Sequence, residues 1–526
     1  MDTQLTDVLV IGTGFGAAAP ALRLARAGFA VTMLEKGPHI DPSADFRQTQ
    51  DPRYITRYLK SLSGDHLGLT YAEAMGGGSG FYEMVSLRAP TAAFEQVDAG
   101  GDRLWPGPVD RTSLDPWYDI ADRMLNVEQI DPSLVPKSGL VFAQMMKNLG
   151  YSCERARYAV RGCMGSGFCV TGCIYGAKQS LLVTYLPQAV EAGAVIRTGV
   201  EAISIRPLMG PELLAQEGAL ARVPHRYEVV CREVQTGRQT AYRARLLVLG
   251  GGTIGTARLL LASRPQLDRL SDQVGRNVAF NGGVKVAGIL PEGFADGDLF
   301  SGRSHPGMIS YQFLGSHGLT IAAAKPLPLQ LVTAARLRLE GDRREGAWWG
   351  EANMELMRTA RHRMMVLLAL GMTPPTGRIA LDGRGRPVVS LPLTDELRRY
   401  HAEVEELLYG IMRRNGLHLL ETDLRKADGG VRRDTFFSTA HHVGSARMAL
   451  SRSRGVVDAS GEVFEYPGMF VSDGAAVPSS LAVNTSLTIL ANAERIAAGI
   501  LGRYHVGRES MVAQSGAGVL NSAGTQ

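Results

Sequence analysis

Asp7-Val8-Leu9-Val10-Ile11-Gly12-Thr13-Gly14-Phe15-Gly16-Ala17-Ala18 reads as a strand, a glycine turn and the start of a helix. The apolar, β-rich run Asp7–Ile11 enters the turn directly, and Ala17 to Ala27 continues as a small-residue helix. Ala30 to Leu34 supplies a second strand and closes a βαβ unit. Gly12, Gly14 and Ala17 satisfy GxGxxA, the small-residue form of the dinucleotide-binding fingerprint, with Phe15 and Gly16 completing the turn. Gly12 permits the tight turn, Gly14 lets the backbone approach a pyrophosphate, and Ala17 lets helix and strand pack closely, so the helix N-terminus meets the phosphate charge. Glu35 ends the second strand, where its carboxylate can accept from a ribose 2′-hydroxyl. The alternative is a glycine-rich turn beside an unrelated surface glutamate; strand, helix and acid in register weigh against it.

Around this unit the chain has 526 residues, enough for about two or three packed units. With 45% hydrophobic and 20% charged residues it has ordinary globular composition, which excludes disorder except at the ends. A formal charge of +5 without a dense basic stripe gives no case for nucleic acid. No basic leader precedes the first strand and no run approaches a membrane span, so a cytoplasmic protein is expected; a form with its leader removed would look the same. Three of the five cysteines fall within eleven residues, which does not suit a secreted disulfide framework.

Farther along, Gly76-Gly77-Gly78-Ser79-Gly80 marks a loop, Trp105-Pro106 follows, and Leu114 to Val127 is amphipathic. Tyr227–Cys231 and Arg243–Leu249 read as strands, and Gly250-Gly251-Gly252 then opens a helix from Thr253 to Ser263, an echo of the first turn. Near the end, the strand Pro467–Ser472 runs into Asp473-Gly474, and Asn484 to Leu501 reads as a long final helix. A site assembled from both ends of the chain suits a large cofactor, FAD rather than NAD.

These motifs, taken in order, resemble the glucose/methanol/choline (GMC) oxidoreductase family, and within it the cholesterol-oxidase-like branch. The likeness rests on the first turn, Gly76-Gly77-Gly78-Ser79, Trp105-Pro106, Leu249 through Gly255, His441-His442-Val443-Gly444-Ser445-Ala446-Arg447-Met448, and Asp473-Gly474 through Asn484. It implies an α/β fold: a Rossmann-like FAD-binding domain with a second, α+β substrate-binding domain of mixed sheet and helices. We assign residues 1–110, 181–285 and 436–508 to the FAD-binding domain, 111–180 to a cap insertion carrying the cysteines, 286–435 to the substrate domain, and 509–526 to a disordered tail. The resemblance also implies that Gly76, Gly77, Gly78, Ser79, Val200, Gly251, Asp473, Gly474, Asn484, Thr485 and Ser486 contact the cofactor, and that an alcohol CH–OH group is oxidised by hydride transfer to flavin N5. His441 matches the family's base and Asn484 its partner. The chemistry agrees, since an alcohol gives up hydride only as its proton leaves, and a neutral imidazole beside an orienting amide serves that end. Asn484 as a mere helix cap remains an alternative, and His442 is expected to be structural.

The departures are specific. Tyr82 stands where cholesterol oxidases carry an asparagine, and Ile321-Ala322-Ala323-Ala324-Lys325-Pro326-Leu327-Pro328 lacks the carboxylate that isomerises a double bond, so no isomerisation is expected. Cys163, Cys169 and Cys173 (C-x5-C-x3-C) could hold a 3Fe-4S cluster, or be free thiols. Apolar runs at Leu327–Val332, Trp348-Trp349 and Met364–Leu368 favour a bulky hydrophobic or sterol-like alcohol. The electron acceptor would be oxygen or an electron carrier, the latter implying a partner protein. A sugar or polyol dehydrogenase wired through the cluster, and an FAD-containing lyase, are the competing readings.

Overall fold

The computed structural model describes residues 2–49, 51–209, 223–292, 306–324, 337–341, 350–422 and 435–504. The expected tail, Leu327–Val332 and Trp348-Trp349 lie outside the described residues.

The strand Thr3–Ile11 pairs in parallel with Gln239–Leu249 on one side and Val31–Glu35 on the other. Val8, Leu9 and Val10 are completely buried, as expected of a parallel strand covered on both faces. Val195–Thr198 extends the sheet beyond Val31–Glu35, and Tyr227–Glu233 and Val200–Pro207 extend the other side antiparallel. Register does the decisive work. Ile11 lies opposite Leu249, so the turns that follow each strand emerge side by side. Met469–Val471 pairs in parallel with Leu247–Leu249 and delivers Asp473 to the same end of the sheet, the carboxyl end where ligands of open α/β sheets bind.

Over this sheet lies the helix Phe15–Arg26, whose Ala17, Ala18, Ala19 and Ala21 are fully buried. Their small side chains let the closing helix Ser486–Tyr504 pack against it, and Arg111–Met124 packs on the closing helix in turn. Within that contact Arg23 donates two hydrogen bonds to Glu494, at 2.7 and 2.8 Å, and Tyr185 adds a third at 2.7 Å. Glu494 has no solvent exposure, so its charge depends on these donors.

A second seven-stranded sheet draws on Glu154–Arg155, Val284–Ile289, Met308–Ser310, Leu319–Ala324, Leu337–Leu339, Met364–Gly371 and His418–Thr422, antiparallel throughout. The helix Asp395–Arg414, capped by the Thr394 hydroxyl, buries Leu397, Val404, Leu408 and Ile411 and packs on Val284–Ile289. A small sheet joins Phe437–Thr439 to Leu67–Ala72 and Leu59–Ser63, just ahead of His441. The molecule is thus of mixed α/β class. Among the described residues no helix is long and apolar enough to cross a membrane.

Removing Arg23 leaves a buried carboxylate with too few donors. Arg23→Met is therefore expected to lose about 3 kcal/mol or more of stability, read as a lowered urea midpoint; an unchanged midpoint would show that this ion pair does not hold the two helices together.

Candidate active site

The two glycine turns meet without space for a side chain. Gly12 has φ +96°, and a Cβ there would lie 2.4 Å from the carbonyl oxygen of Gly250. A Cβ on Gly16 would fall 2.3 Å from Cα of Asp473, and one on Gly250 would fall 2.7 Å from Cβ of Ala17. These contacts lock three distant segments at one point. Thr13 links two more: its hydroxyl donates to Glu35 Oε2 at 2.6 Å and accepts from Gly76 N at 2.9 Å. Glu35 Oε1 accepts from Gly37 N at 2.8 Å, and burial pushes its carboxyl above the ordinary range against these hydrogen bonds.

Asp473 serves both sides of the turn. Its Oδ2 accepts from the Gly252 amide and the Thr256 hydroxyl, each at 2.6 Å, and its Oδ1 from Ala475 N at 2.8 Å. Burial pushes this carboxyl up to about 6, opposed by those donors. Asp473, expected to contact the cofactor, lines the cavity and also takes donors from the protein itself.

A cavity of about 1040 Å³ runs from this knot between the two large sheets. Gly12, Gly14, Phe15, Gly16, Glu35, Gly77, Gly78, Val200, Gly251, Asp473, Gly474, Asn484, Thr485 and Ser486 line it, with His441. Ala17, Gly76 and Ser79 stand behind the wall. Ala17 packs on Gly250, while the Ser79 hydroxyl donates to Gly76 O at 2.7 Å and accepts from Leu181 N at 3.2 Å. Gly14 caps Phe15–Arg26 with no side chain, and no acid stands in that helix's first turn, so its N-terminus remains suited to an anion.

His441 and Asn484, 43 residues apart, meet in this wall: Asn484 Nδ2 lies 2.9 Å from His441 Nε2. With the amide N–H donating, Nε2 is an acceptor and the imidazole is neutral. Burial first, then the charge of Lys285 and the neighbouring His442, hold His441 down at about 4. His442 also faces the cavity, but its Nε2–H donates to Thr70 O at 3.2 Å and fixes the ring.

The segment around His441 explains its own sequence. Val443 bridges to Ala279, Gly444 takes φ +82° where a Cβ would strike Asn277 O at 2.1 Å, and Ser445, also left-handed at φ +83°, donates to Thr253 O at 2.7 Å. Gly444 N and Ala446 N then bond Gly474 O and Ala475 O, at 2.8 and 3.0 Å. Asn484 is held through the preceding loop. Asn281 donates to Val483 O and accepts from Leu481 N, both at 2.6 Å, Thr320 donates to Ala482 O at 2.6 Å, and Trp105 donates to the Ser479 hydroxyl at 2.8 Å. Of these clamps only Trp105 stood out in the sequence. Asn281 and Thr320 bear no local signal, since their partners lie some 160 to 200 residues away.

The cysteines require a correction. Cys163, Cys169 and Cys173 border one small cavity of about 20 Å³ together with Lys178, space for a water rather than an iron–sulfur cluster. The buried Lys178 ammonium donates to Gly80 O at 2.8 Å and to Cys169 O, bracing the loop. Among the described residues no group of three or more His, Cys, Asp and Glu side chains is placed to hold a metal ion. Nothing among the described residues supports the expected 3Fe-4S cluster. Lys325–Pro328 of the non-isomerising segment lies outside the described residues, whereas Ala322, Ala323 and Ala324 line the large cavity.

Comparison with known proteins agrees with this architecture. A long-chain-alcohol oxidase of Arabidopsis thaliana is 24% identical over 93% of this chain, which spans 66% of that protein's length, just under two thirds. A cholesterol oxidase of Mycobacterium tuberculosis is 27% identical over 93% of this chain and 90% of its own. The solved pyridoxine 4-oxidase shares the fold, with a TM-score of 0.64 at 17% identity over 96% of this chain and 100% of that one. The sequence profiles of the GMC oxidoreductases match residues 9–280 and 399–493, so the chain belongs to the GMC oxidoreductase family and is an oxidoreductase.

Proposed function

We propose that this protein binds FAD and oxidises the CH–OH group of a lipophilic alcohol, with His441 as the base. The observation that carries the reading is the His441–Asn484 pair, set in the wall of a cavity that the two glycine turns also line. The cavity fits the cofactor: its size reaches the upper end of ligand sites, the turns admit a backbone approach, and the uncapped helix at Gly14 suits a pyrophosphate. Glu35 would take the ribose hydroxyls, and Gly474, Thr485 and Ser486 the flavin end. Bound FAD supplies the hydride acceptor.

The remaining steps belong to the protein. A substrate hydroxyl that displaces the Asn484–His441 hydrogen bond can donate to Nε2 and accept from the Asn484 amide, which fixes the C–H bond by fixing the oxygen. His441 then receives the hydroxyl proton at Nε2. Its depressed basicity keeps the acceptor lone pair open at neutral pH, and its protonation is transient. The closing helix starts at Ser486 with no acid in its first turn, so its positive end favours negative charge developing beside it. Leu368, Leu370, Ile309, Ala322 and Ala324 make the opposite wall apolar, which supports a lipophilic substrate, as do the names of the two relatives. Those names also support oxygen as the acceptor.

His441→Ala should lower kcat/KM by about 10²- to 10⁴-fold while flavin stays bound. In the unaltered enzyme the rate should be level across neutral pH and half-lost only near the value of about 4, because protonation removes the base as pH falls; a half-point near the ordinary histidine value of about 6.5 would show that burial does not govern this ring. Anaerobic alcohol should bleach the flavin, whereas aldehyde release without bleaching would mark a lyase. For the cleft itself, Gly12→Ala forces a Cβ against Gly250 O and should cut flavin per mole of protein about tenfold; full flavin content in a folded variant would remove Gly12 from the cofactor's site.

A further inference from the structure

Along Val284–Ile289 the two valines of Val284-Lys285-Val286 are buried, 2% and 3% exposed, and the period of the strand turns Lys285 to the opposite face. That face is the cavity wall. Lys285 lies across from Leu368, Leu368 from Ala322, and Ala322 from Ile309, and all four line the cavity. One amine thus stands at the end of an aliphatic row, on the wall whose charge is felt at His441.

Among the described residues Lys285 has no hydrogen bond and no ion pair. Glu83 lines the same cavity and attracts it. The side chain is exposed to the open cavity, and the protein crowded around it draws the amine below its ordinary range while Glu83 opposes this. The ammonium is exposed to the open cavity at the end of an apolar row, an unmet charge that an anion entering the cavity would meet. A leucine or methionine would complete the row without a charge.

We propose that Lys285 is a specificity-determining residue that pairs with a carboxylate on the alcohol substrate, which makes the preferred substrate a lipophilic hydroxy acid rather than a neutral alcohol. The proposal rests on the alcohol-oxidising function above. A single ammonium is a point charge with rotatable donors, so it selects a carboxylate by charge and imposes no fixed fork geometry. The aliphatic row beside it accepts the substrate's hydrocarbon body, and His441 with Asn484 takes the hydroxyl.

The test is binding of two matched ligands that cannot be turned over, decanoate and decanamide, to the flavin-loaded enzyme, read from the flavin spectrum. Decanoate should bind about tenfold to hundredfold more tightly, and added salt should narrow the gap. Lys285→Met should abolish the preference by weakening decanoate alone, and Lys285→Arg should retain most of it. Equal affinities in the unaltered enzyme would overturn the proposal without any variant, as would a preference that survives in Lys285→Met. Flavin bleaching by neutral 1-decanol with no decanoate preference would overturn the carboxylate assignment alone; a decanoate preference in an enzyme that no alcohol bleaches would overturn the alcohol-oxidising function and leave the anion site standing.

Discussion

Between Gly12 and Gly250 there is a gap that no Cβ can enter, and the geometry of the cleft follows from it. Two parallel strands end in register, each must turn at once, and each turn must pass the other's backbone at van der Waals distance. Asp473 then enters the contact from the third strand, close enough to Gly16 that a side chain there would collide with its Cα. Glycine at these positions is a steric requirement of the crossing before it is a requirement of any ligand. The space left open on the far side of the turns is where a dinucleotide can lie.

From that crossing the position of the reacting pair is set by hydrogen bonds rather than by packing alone. Gly444 and Ala446 tie the His441 segment to Gly474 and Ala475, immediately after Asp473. The Asn484 loop is gripped from the second sheet by Thr320 and from beside that sheet by Asn281. His441 and Asn484 are therefore referenced to different bodies of the molecule that join only in the folded state. The left-handed backbone of Ser445 and Ala482 marks where this costs conformational energy, about 1 to 3 kcal/mol for each such residue.

Local patterns in the sequence were enough to place the βαβ unit, the second glycine turn and the closing helix, because each has a short-range period and a turn that ends it. The family resemblance named His441 and Asn484 as a pair, and the structure brings the two into contact. The supports were not legible. Thr13 occupies a variable position of its motif yet joins Glu35 to Gly76, and Asn281 follows an ordinary apolar stretch. Lys285 offered a signal, a charge inside a run of buried valines, which only the pairing of the strands converts into a position on the cavity wall. The cysteines do converge on one small cavity, but left-handed glycines at 162, 165, 167 and 172 shape their loop and the Lys178 ammonium braces it, with no group placed to hold a metal among the described residues.

The union of the first helix with the closing one, through Arg23 and Glu494, has a consequence for biosynthesis. The fingerprint turn leaves the ribosome early, but its far wall is made by Asp473 and by the helix that begins at Ser486. Until that helix has emerged, the nascent chain carries an open half-site whose first helix lacks one of its packing partners. A ribosome stalled before residue 486 would hold a chain that has made its glycine motif but not yet the wall that faces it.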